Sequence, residues 1–499
     1  MDFFGDHIGL GAGALLLFAI ALALAFEFVN GFHDTANAVA TIIYTHSLKP
    51  GQAVVWSGIW NLLGVLASSG AVAFGITALL PVELVLNVGS ASGFAMVFSL
   101  LVSAIIWNVG TWYFGLPASS SHTLIGSIMG VGLANSLLAR GHVFGEGVNW
   151  AKAKEVGISL LVSPAVGFCA AAVLLLAAKA LIKREELFRP PNPNQPPPTW
   201  VRVLLVLTCT GVSFAHGSND GQKGMGLIML ILVGILPGVY ALNLSTPSAE
   251  VAEIASHARA VNRVFSKQSV SGMDFQHMSR RDAEAELSGF LKTTGSVSDK
   301  TFAALASINR LIGSRMEKKS SIGELSHDER QSLRSDIYLA AETIFKANRL
   351  GLLTDLDSHR EALNYAARLD GVTKFIPAWA KFSVAVALGL GTMIGWKRIV
   401  VTVGEKIGKK HLTYAQGACA EFVAMTTIGV ADTFGLPVST THVLSSGVAG
   451  TMAANRSGLQ MDTLRNIALA WLLTVPVCVF LGAALFALAL NIIIGLGLQ

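Results

Sequence analysis

Apolar residues run in long stretches at 9–29, 35–47, 52–80, 93–114, 117–138 and 156–182, and resume at 200–215, 224–243, 376–396, 412–434, 437–454 and 464–496. The first of them, GLGAGALLLFAIALALAF from Gly9 to Phe26, approaches the ~20 residues that cross a bilayer as helix. The pattern predicts an all-α polytopic membrane protein. The residues ahead of this run include Asp2, Asp6 and His7 rather than Lys or Arg, so it lacks the positive n-region of a signal peptide and is expected to be a span. Two polar interruptions break the series. KREELFRPPNPNQPPPTW, from Lys183 to Trp200, is rich in prolines that cannot continue a helix and favour an extended linker. The second is longer. Within it SRRDAEAELSGFLKTT and DERQSLRSDIYLAAETIFKANRL set apolar residues at i, i+3 and i+4 between charges, as amphipathic helices do.

A repeat organises these stretches. GLPASSSHTLIGSIMG begins at Gly115 and GLPVSTTHVLSSGVAG at Gly435; nine of 16 positions match identically or as Ser/Thr, at an offset of 320 (435 − 115). Upstream, FVNGFHDTANA aligns with FAHGSNDGQKG, which pairs Phe28 with Phe214, Gly31 with Gly217 and Asp34 with Asp220, at an offset of 186 (220 − 34). The offsets differ by 134 (320 − 186), and the polar interruption between Lys223 and Gly435 is about that long. The expected organisation is a first transmembrane repeat at 1–182, a Pro-rich linker at 183–199, a second repeat at 200–243 and 376–499, and a soluble helical insertion at 244–375. Duplications of this kind in transporters are often inverted in the membrane. The loop Leu80 to Gly93 has no Lys or Arg, whereas its counterpart carries Lys397, Arg398, Lys406, Lys409 and Lys410; by the positive-inside rule the two prefer opposite sides. The pattern leaves open whether 117–138 and 437–454 cross the membrane or re-enter it, and therefore the absolute topology.

Composition agrees with a membrane protein. Of 499 residues 52% are hydrophobic and 13% charged, against about 25% charged in soluble domains. A net charge of +5 reflects cytoplasmic loops rather than nucleic-acid binding. Cys169, Cys209, Cys419 and Cys478 lie in apolar segments without metal-ligand spacing, and small buried hydrophobes are expected. His257, His277, His327 and His359 are scattered through the insertion and read as surface histidines.

Each half carries two polar clusters in apolar surroundings. The first comprises Glu27, Asn30, His33, Asp34 and Asn37, with His216, Asn219, Asp220 and Lys223 as its counterpart. An ionisable side chain in a bilayer costs a few kcal/mol on insertion scales and faces the bundle interior or a polar cavity. In the second cluster Pro117 and Pro437 are followed by Ser119, Ser120, Ser121 and Ser439, Thr440, Thr441. Proline suits the first turn of a helix, and hydroxyls with free amides at the positive end of a helix dipole form an anion site. Two such ends would surround a small tetrahedral oxyanion. Asp34 and Asp220 repel a fully charged anion, so the ligand is expected to be protonated or to travel with a cation, and sulfate fits less well than phosphate. Ser121, His122 and Asp34 do not read as an intramembrane hydrolase, because neighbouring residues on a helix do not face each other; a phosphate-sensing receptor or channel is the other reading of a different class. The roles of the repeated His122 and His442 stay open.

Several of these segments are long and specific: NGFHDTANAVAT from Asn30, WNVGTWYFGLPASSSHTLIG from Trp107, HGSNDGQKG from His216, GTMIGWKRIVVTVGEKIGKK from Gly391 and GLPVSTTHVLSS from Gly435. With them the chain resembles, over nearly its whole length, the PiT family of inorganic phosphate transporters. The resemblance implies an inverted-repeat fold in the cytoplasmic membrane, a homodimer, and phosphate held by Asp34, Asn37, Ser119, Ser120, Ser121, Asn219, Asp220, Ser439, Thr440 and Thr441. It implies no tightly bound cofactor and no enzymatic step. The substrate would be cotransported with a proton or sodium, in the bacterial low-affinity branch as a proton symport of neutral metal–phosphate complexes. Any divalent metal would then meet Asp34 and Asp220. Residues for cation or proton coupling are Asp34, His33, Asp220, Glu27 and Glu421. Two departures bear on coupling. The family's Gly-Ala-Asn-Asp is Gly31-Phe32-His33-Asp34 here, and Lys223 stands opposite Asn37. Histidine titrates near neutrality, which makes His33 a protonation site. Sodium-dependent members carry an acid where Asn61 stands, while Glu421 keeps one in the later helix and leaves a sodium-coupled phosphate or sulfate symporter as the alternative.

Overall fold

The computed structural model describes residues 2–3, 6–7, 9–77, 79, 90–138, 145, 148–192, 196–268, 278–292, 295–317, 319–353 and 356–495, with the side chains of 2–3, 6–7, 35–37, 77, 152, 263–264, 266–268 and 356–358 outside that description. It is helical apart from a two-residue strand pair, Asp2–Phe3 with Asp6–His7, and one isolated bridge between Gly408 and Leu459. Five described helices are long and apolar enough to cross a membrane: Leu10–Tyr44, Ala91–Tyr113, Ala153–Leu181 (the body of Trp150–Leu181), Thr199–Ile235 and Met461–Gly495. The chain divides into two compact units, one made of Met1–Leu17, Pro81–Gly93 and Met229–Phe375, the other of Phe18–Leu80, Phe94–Ile228 and Ile376–Gln499.

In the larger unit the usual order of polarity is reversed. Leu161, Val173, Leu472, Phe480 and Leu488 are exposed, while Glu27, Asn61, Asp220, Lys223 and Glu421 are buried. That arrangement suits a solvent of acyl chains, where apolar surface costs nothing and polar groups must find partners inside the bundle. Asn30 to Asp34 and His216 to Lys223 separate apolar stretches in the sequence, yet neither breaks its helix. Leu10–Tyr44 and Thr199–Ile235 are continuous, because these polar side chains point into the bundle and leave the backbone ladder intact. Cys209, Cys419 and Cys478 are buried as expected; Cys169 is exposed on Trp150–Leu181, where acyl chains make a weakly polar thiol tolerable.

Helices from the two halves of the chain cross one another at glycines. Pro50–Ala67 meets Thr199–Ile235 so closely that a Cβ on Gly64 would lie 2.2 Å from the Phe214 carbonyl, and one on Gly217 2.1 Å from that of Asn61. The reciprocal pair is Leu10–Tyr44 with Ala378–Met393, where a Cβ on Gly31 would lie 2.4 Å from the Leu388 carbonyl and one on Gly391 2.1 Å from that of Phe28. The hydroxyl-bearing helices exchange partners in the same way. Ser120–Leu138 packs on Met461–Gly495 and Thr440–Ala454 on Trp150–Leu181. Small residues at such crossings let backbones approach and gain dispersion contact that lipid cannot supply.

Both hydroxyl motifs sit at helix breaks. Ala91–Tyr113 ends with Gly115 N–H donating to the Trp112 carbonyl and Leu116 N–H to that of Thr111; Tyr414–Thr433 ends with Gly435 bonded to Asp432 and Leu436 to Ala431. This is the Schellman pattern, with glycine in the left-handed conformation that it alone adopts without penalty; φ is +67° at Gly115 and +64° at Gly435. Proline two residues on prevents continuation. The chain then restarts as Ser120–Leu138 and Thr440–Ala454.

The smaller unit contains Ser248–Gln268, Arg280–Leu291, Thr301–Met316, His327–Arg349 and Leu356–Thr373, packed round a core that includes Ile254, Phe265, Leu305, Ile337, Ile344 and Tyr365. Ser326 and Glu329 form a capping box at the start of His327–Arg349, which satisfies two otherwise unpaired amides. Buried Asp336 receives Arg280 at 3.0 Å and Arg315 at 2.7 Å; burial raises its carboxyl to about 6, against the opposing pull of the two guanidinium groups. Of the histidines read as surface groups, His327 is exposed, His257 and His359 are half-buried, and His277 lies outside the described residues.

Close crossing makes a direct prediction. Gly217→Ala forces a Cβ against the Asn61 backbone and is expected to destabilise by about 1–3 kcal/mol, the usual range for overpacking. Gly429→Ala, with nothing within 4 Å of the added carbon, should be neutral or slightly stabilising. Thermal melts of the two purified variants in one detergent measure the difference.

Candidate functional site

Glu27, Asn30 and Asp34 follow one another at i, i+3 and i+7 on Leu10–Tyr44, and His216, Asn219, Asp220 and Lys223 at i, i+3, i+4 and i+7 on Thr199–Ile235. Helical periodicity gives each set one face, and all these residues are buried. The tertiary fold brings the two faces to the start of Ser120–Leu138. Ser120 Oγ lies 3.2 Å from Asp34 Oδ2 and 3.2 Å from Asp220 Oδ2. A hydroxyl carries one proton, so it can donate to only one of the two carboxylates at a time. Lys223 Nζ stands 2.6 Å from Asp220 Oδ2 and 3.4 Å from Ser120 Oγ, a full positive charge inside the cluster.

The other Asp34 oxygen, Oδ1, accepts from Thr441 Oγ1 at 2.6 Å and lies 3.1 Å from His33 Nδ1. The far side of that ring, Nε2, is 3.1 Å from Thr111 Oγ1. The Thr111 hydroxyl also reaches the Trp107 carbonyl at 2.9 Å, and the tautomer of His33 sets which ring nitrogen donates; a doubly protonated ring donates to both Asp34 and Thr111. His216 Nδ1 donates to Asn61 Oδ1 at 2.6 Å, and Asn61 in turn donates to the Ser57 carbonyl at 3.0 Å. This turns His216 Nε2 toward Asp220 Oδ2 at 3.5 Å and Asp34 Oδ2 at 3.8 Å. Donor atoms of Asp34, His216 and Asp220 lie within 4.8 Å of one another, close enough to ligate one metal ion, with Asn61 orienting the histidine as outer partners commonly do.

The remaining residues singled out in the sequence divide into several groups. Ser119 and Ser439 accept from the amides of His122 and His442, capping the two helices. Ser121 donates to the Val438 carbonyl at 2.9 Å, and Asn219 donates to that of Leu436 at 3.1 Å, so both brace the second motif. Thr440 Oγ1 is buried with no hydrogen-bond partner among the described residues. Glu27 accepts from Asn30 at 3.4 Å and packs on Gly224. Glu421 is apart from the cluster: it accepts from Thr41, two turns beyond Asp34 on the same helix, and from Thr208. The side chain of Asn37 lies outside the described residues. His122 and His442 lie tilted with ring centres 4.5 Å apart, and His442 stacks on Trp471 at 4.0 Å, while the Ser121 hydroxyl is turned to the Val438 carbonyl.

Lys223, His216, Asn61 and Thr111 belong to the cluster although the reading of binding and coupling residues omitted them. For His216 and Lys223 the signal was present as helical spacing from Asp220. Asn61 and Thr111 come from other helices, and no local pattern connects them.

Five apolar helices long enough to cross a membrane, with two helix starts meeting a buried polar cluster, are the features of a multi-pass membrane protein. The chain belongs to the phosphate transporter family (PHO4), whose pattern matches residues 30–482. It is 41% identical over 481 residues to the low-affinity inorganic phosphate transporter PitB of Escherichia coli (strain K12), covering 94% of this chain and 95% of that one. Identity to the low-affinity inorganic phosphate transporter PitA of the same strain is also 41%, covering 93% and 95%. To the low-affinity inorganic phosphate transporter of Buchnera aphidicola subsp. Acyrthosiphon pisum it is 39% over 482 residues, covering 94% and 95%. A solved structure described as the sodium-dependent phosphate transporter shares the fold, with a TM-score of 0.51 at 20% identity, covering 96% of this chain and 100% of that one.

The buried ion pair is testable on its own. Lys223→Met leaves the Asp220 carboxylate without its 2.6 Å counter-ion and is expected to destabilise by about 3–5 kcal/mol. Combining it with Asp220→Asn should recover most of that loss, because no uncompensated charge remains. Thermal unfolding of the wild type, both single variants and the double variant forms the cycle; strictly additive losses would show that the two groups do not interact.

Proposed function

We propose that this chain is a secondary transporter of the cytoplasmic membrane that imports inorganic phosphate by proton symport, taken up as a neutral metal–phosphate complex. The observation that carries the reading is the pair Asp34 and Asp220 held by one Ser120 hydroxyl at a helix start. Two carboxylates repel a fully ionised phosphate. They accommodate one whose P–OH groups donate to them, or one accompanied by a divalent cation, for which Asp34, His216 and Asp220 offer the ligands. First-turn amides and hydroxyls of the two motifs, Thr440 with its unused Oγ1 among them, would receive the remaining oxygens. Asp34 and Asp220 thus handle the proton or metal that the substrate brings.

Proton rather than sodium coupling is supported by the groups already in the cluster. Lys223 supplies a fixed cation that the site does not have to recruit. His33 and His216 each present one nitrogen to a carboxylate while the other is held by a neutral partner, so one added proton on either ring converts a poor contact into a charge-assisted bond. Glu421 between Thr41 and Thr208 is the feature that favours the second reading, a sodium-coupled phosphate or sulfate symporter. Sulfate brings no proton for the carboxylates and remains the weaker substrate.

The two repeats are read as inverted, and the reciprocal exchange of partners between Ser120–Leu138 and Thr440–Ala454 supports it. Rocking of one repeat against the other would alternate access to the site. Resemblance to the family supports a homodimer as the working assembly.

Radiolabelled phosphate uptake into proteoliposomes, with sodium, pH gradient and divalent metal varied one at a time, tests the proposal. Uptake should rise with an inward proton gradient and with divalent metal, and ignore sodium. Asp34→Asn and Asp220→Asn should each reduce it to background while the protein still inserts. Uptake that needs sodium and ignores the pH gradient would replace the proton reading by the sodium one, and full uptake by both variants would remove the carboxylates from the mechanism.

A further inference from the structure

A second polar feature of the membrane unit lies at the end of Ala91–Tyr113. A groove of about 600 Å³ is lined by Trp112, Tyr113 and Phe114 on one side and by Trp396, Arg398 and Lys406 on the other, a volume in the range of small-molecule sites. Its floor is the short helix Lys397–Glu405, whose Ile399, Val400 and Val403 are buried while Lys397 and Arg398 face outward. The Arg398 guanidinium stacks 4.8 Å from the Tyr113 ring and 5.2 Å from that of Trp112, and donates to the Tyr113 carbonyl at 2.7 Å. Lys397, Arg398, Lys406, Lys409 and Lys410 take part in none of the ion pairs among the described residues. The nearby acid, Glu405, instead accepts from the Tyr44 hydroxyl at 2.6 Å. Next to these cations the surface is strongly apolar, with Tyr113 58%, Phe114 75% and Ile394 55% exposed.

Unpaired cations beside exposed aromatic rings at the end of a membrane span are complementary to a lipid rather than to a small soluble anion. Tryptophan and tyrosine settle at the headgroup level, and basic pockets on the cytoplasmic side receive anionic headgroups. We propose that this groove binds an anionic phospholipid, with its phosphate on Arg398, Lys397 and Lys406 and its acyl chains along Phe114 and Ile394. The bound lipid also grips the first hydroxyl motif. Thr402, on the groove's short helix, donates to the Gly115 carbonyl at 2.8 Å, and Arg398 holds the carbonyl of Tyr113 just before it. The same turn leads into Ser120, which joins the two carboxylates. Lipid in the groove therefore stabilises the turn from which that helix starts, whatever solute the carboxylates handle.

The full chain, purified in detergent and stripped of lipid, is titrated with phosphatidylglycerol or phosphatidylcholine and followed by native mass spectrometry and thermal melting. Phosphatidylglycerol should be retained and raise the melting temperature, with at least tenfold weaker retention of phosphatidylcholine. Lys397→Gln combined with Lys406→Gln removes two cations that make no ion pair in the fold, so the variant should melt like the wild type without lipid yet lose at least tenfold in phosphatidylglycerol retention. Arg398→Lys keeps the charge but loses the stacked plane and should lie between. Equal retention of the two lipids, or an unaltered double variant, overturns the proposal. So does displacement of phosphatidylglycerol by millimolar inorganic phosphate, which would make the groove a small-anion site.

Discussion

Two carboxylates brought together inside an apolar bundle are the constraint on which the larger unit depends. Asp34 and Asp220 share the Ser120 hydroxyl, and in a low-dielectric interior their mutual repulsion is barely screened. The fold answers with Lys223 on Asp220, Thr441 on Asp34 and histidines at each acid. Nearly every other feature of the unit follows from keeping these groups together and away from lipid. Both helices that carry them are unbroken.

Position in this cluster comes from helix ends as much as from helix faces. Schellman turns at Gly115 and Gly435 stop one helix and aim the next, so that the amides of a new first turn and its hydroxyls arrive at the acids. Those starts are then tied to each other and to the helices of the acids: Ser121 to Val438, Asn219 to Leu436 and Thr441 to Asp34. The smaller unit follows different rules, with capping boxes, a compact apolar core and a buried Asp336 between two arginines.

Much of the layout was legible along the chain. Hydrophobic length predicted spans, and the twin GLP motifs predicted paired helix starts. Less legible was continuity: the polar residues at 30–34 and 216–223 look like breaks between apolar stretches, but in a bundle they mark the inward face of single helices. Serines within one motif also look alike in sequence, whereas Ser119 caps, Ser120 joins the carboxylates and Ser121 reaches the other repeat. One hundred degrees of rotation per residue on a helix gives adjacent side chains different partners.

By itself the sequence determined what is periodic or repeated: apolar spans, paired hydroxyl motifs, the two acids, an amphipathic insertion. These are local quantities, readable from spacing and burial cost. Only the tertiary structure decided that Ser120 joins Asp34 to Asp220, that Asn61 turns His216 toward both acids, and that Glu421 stands apart with Thr41 and Thr208. Those contacts join residues 86 to 380 positions apart, and they arise where helices distant in the sequence cross one another. Which side chains meet at such a crossing depends on helix rotation and depth, set by packing of the whole bundle, and no stretch of sequence carries that information alone.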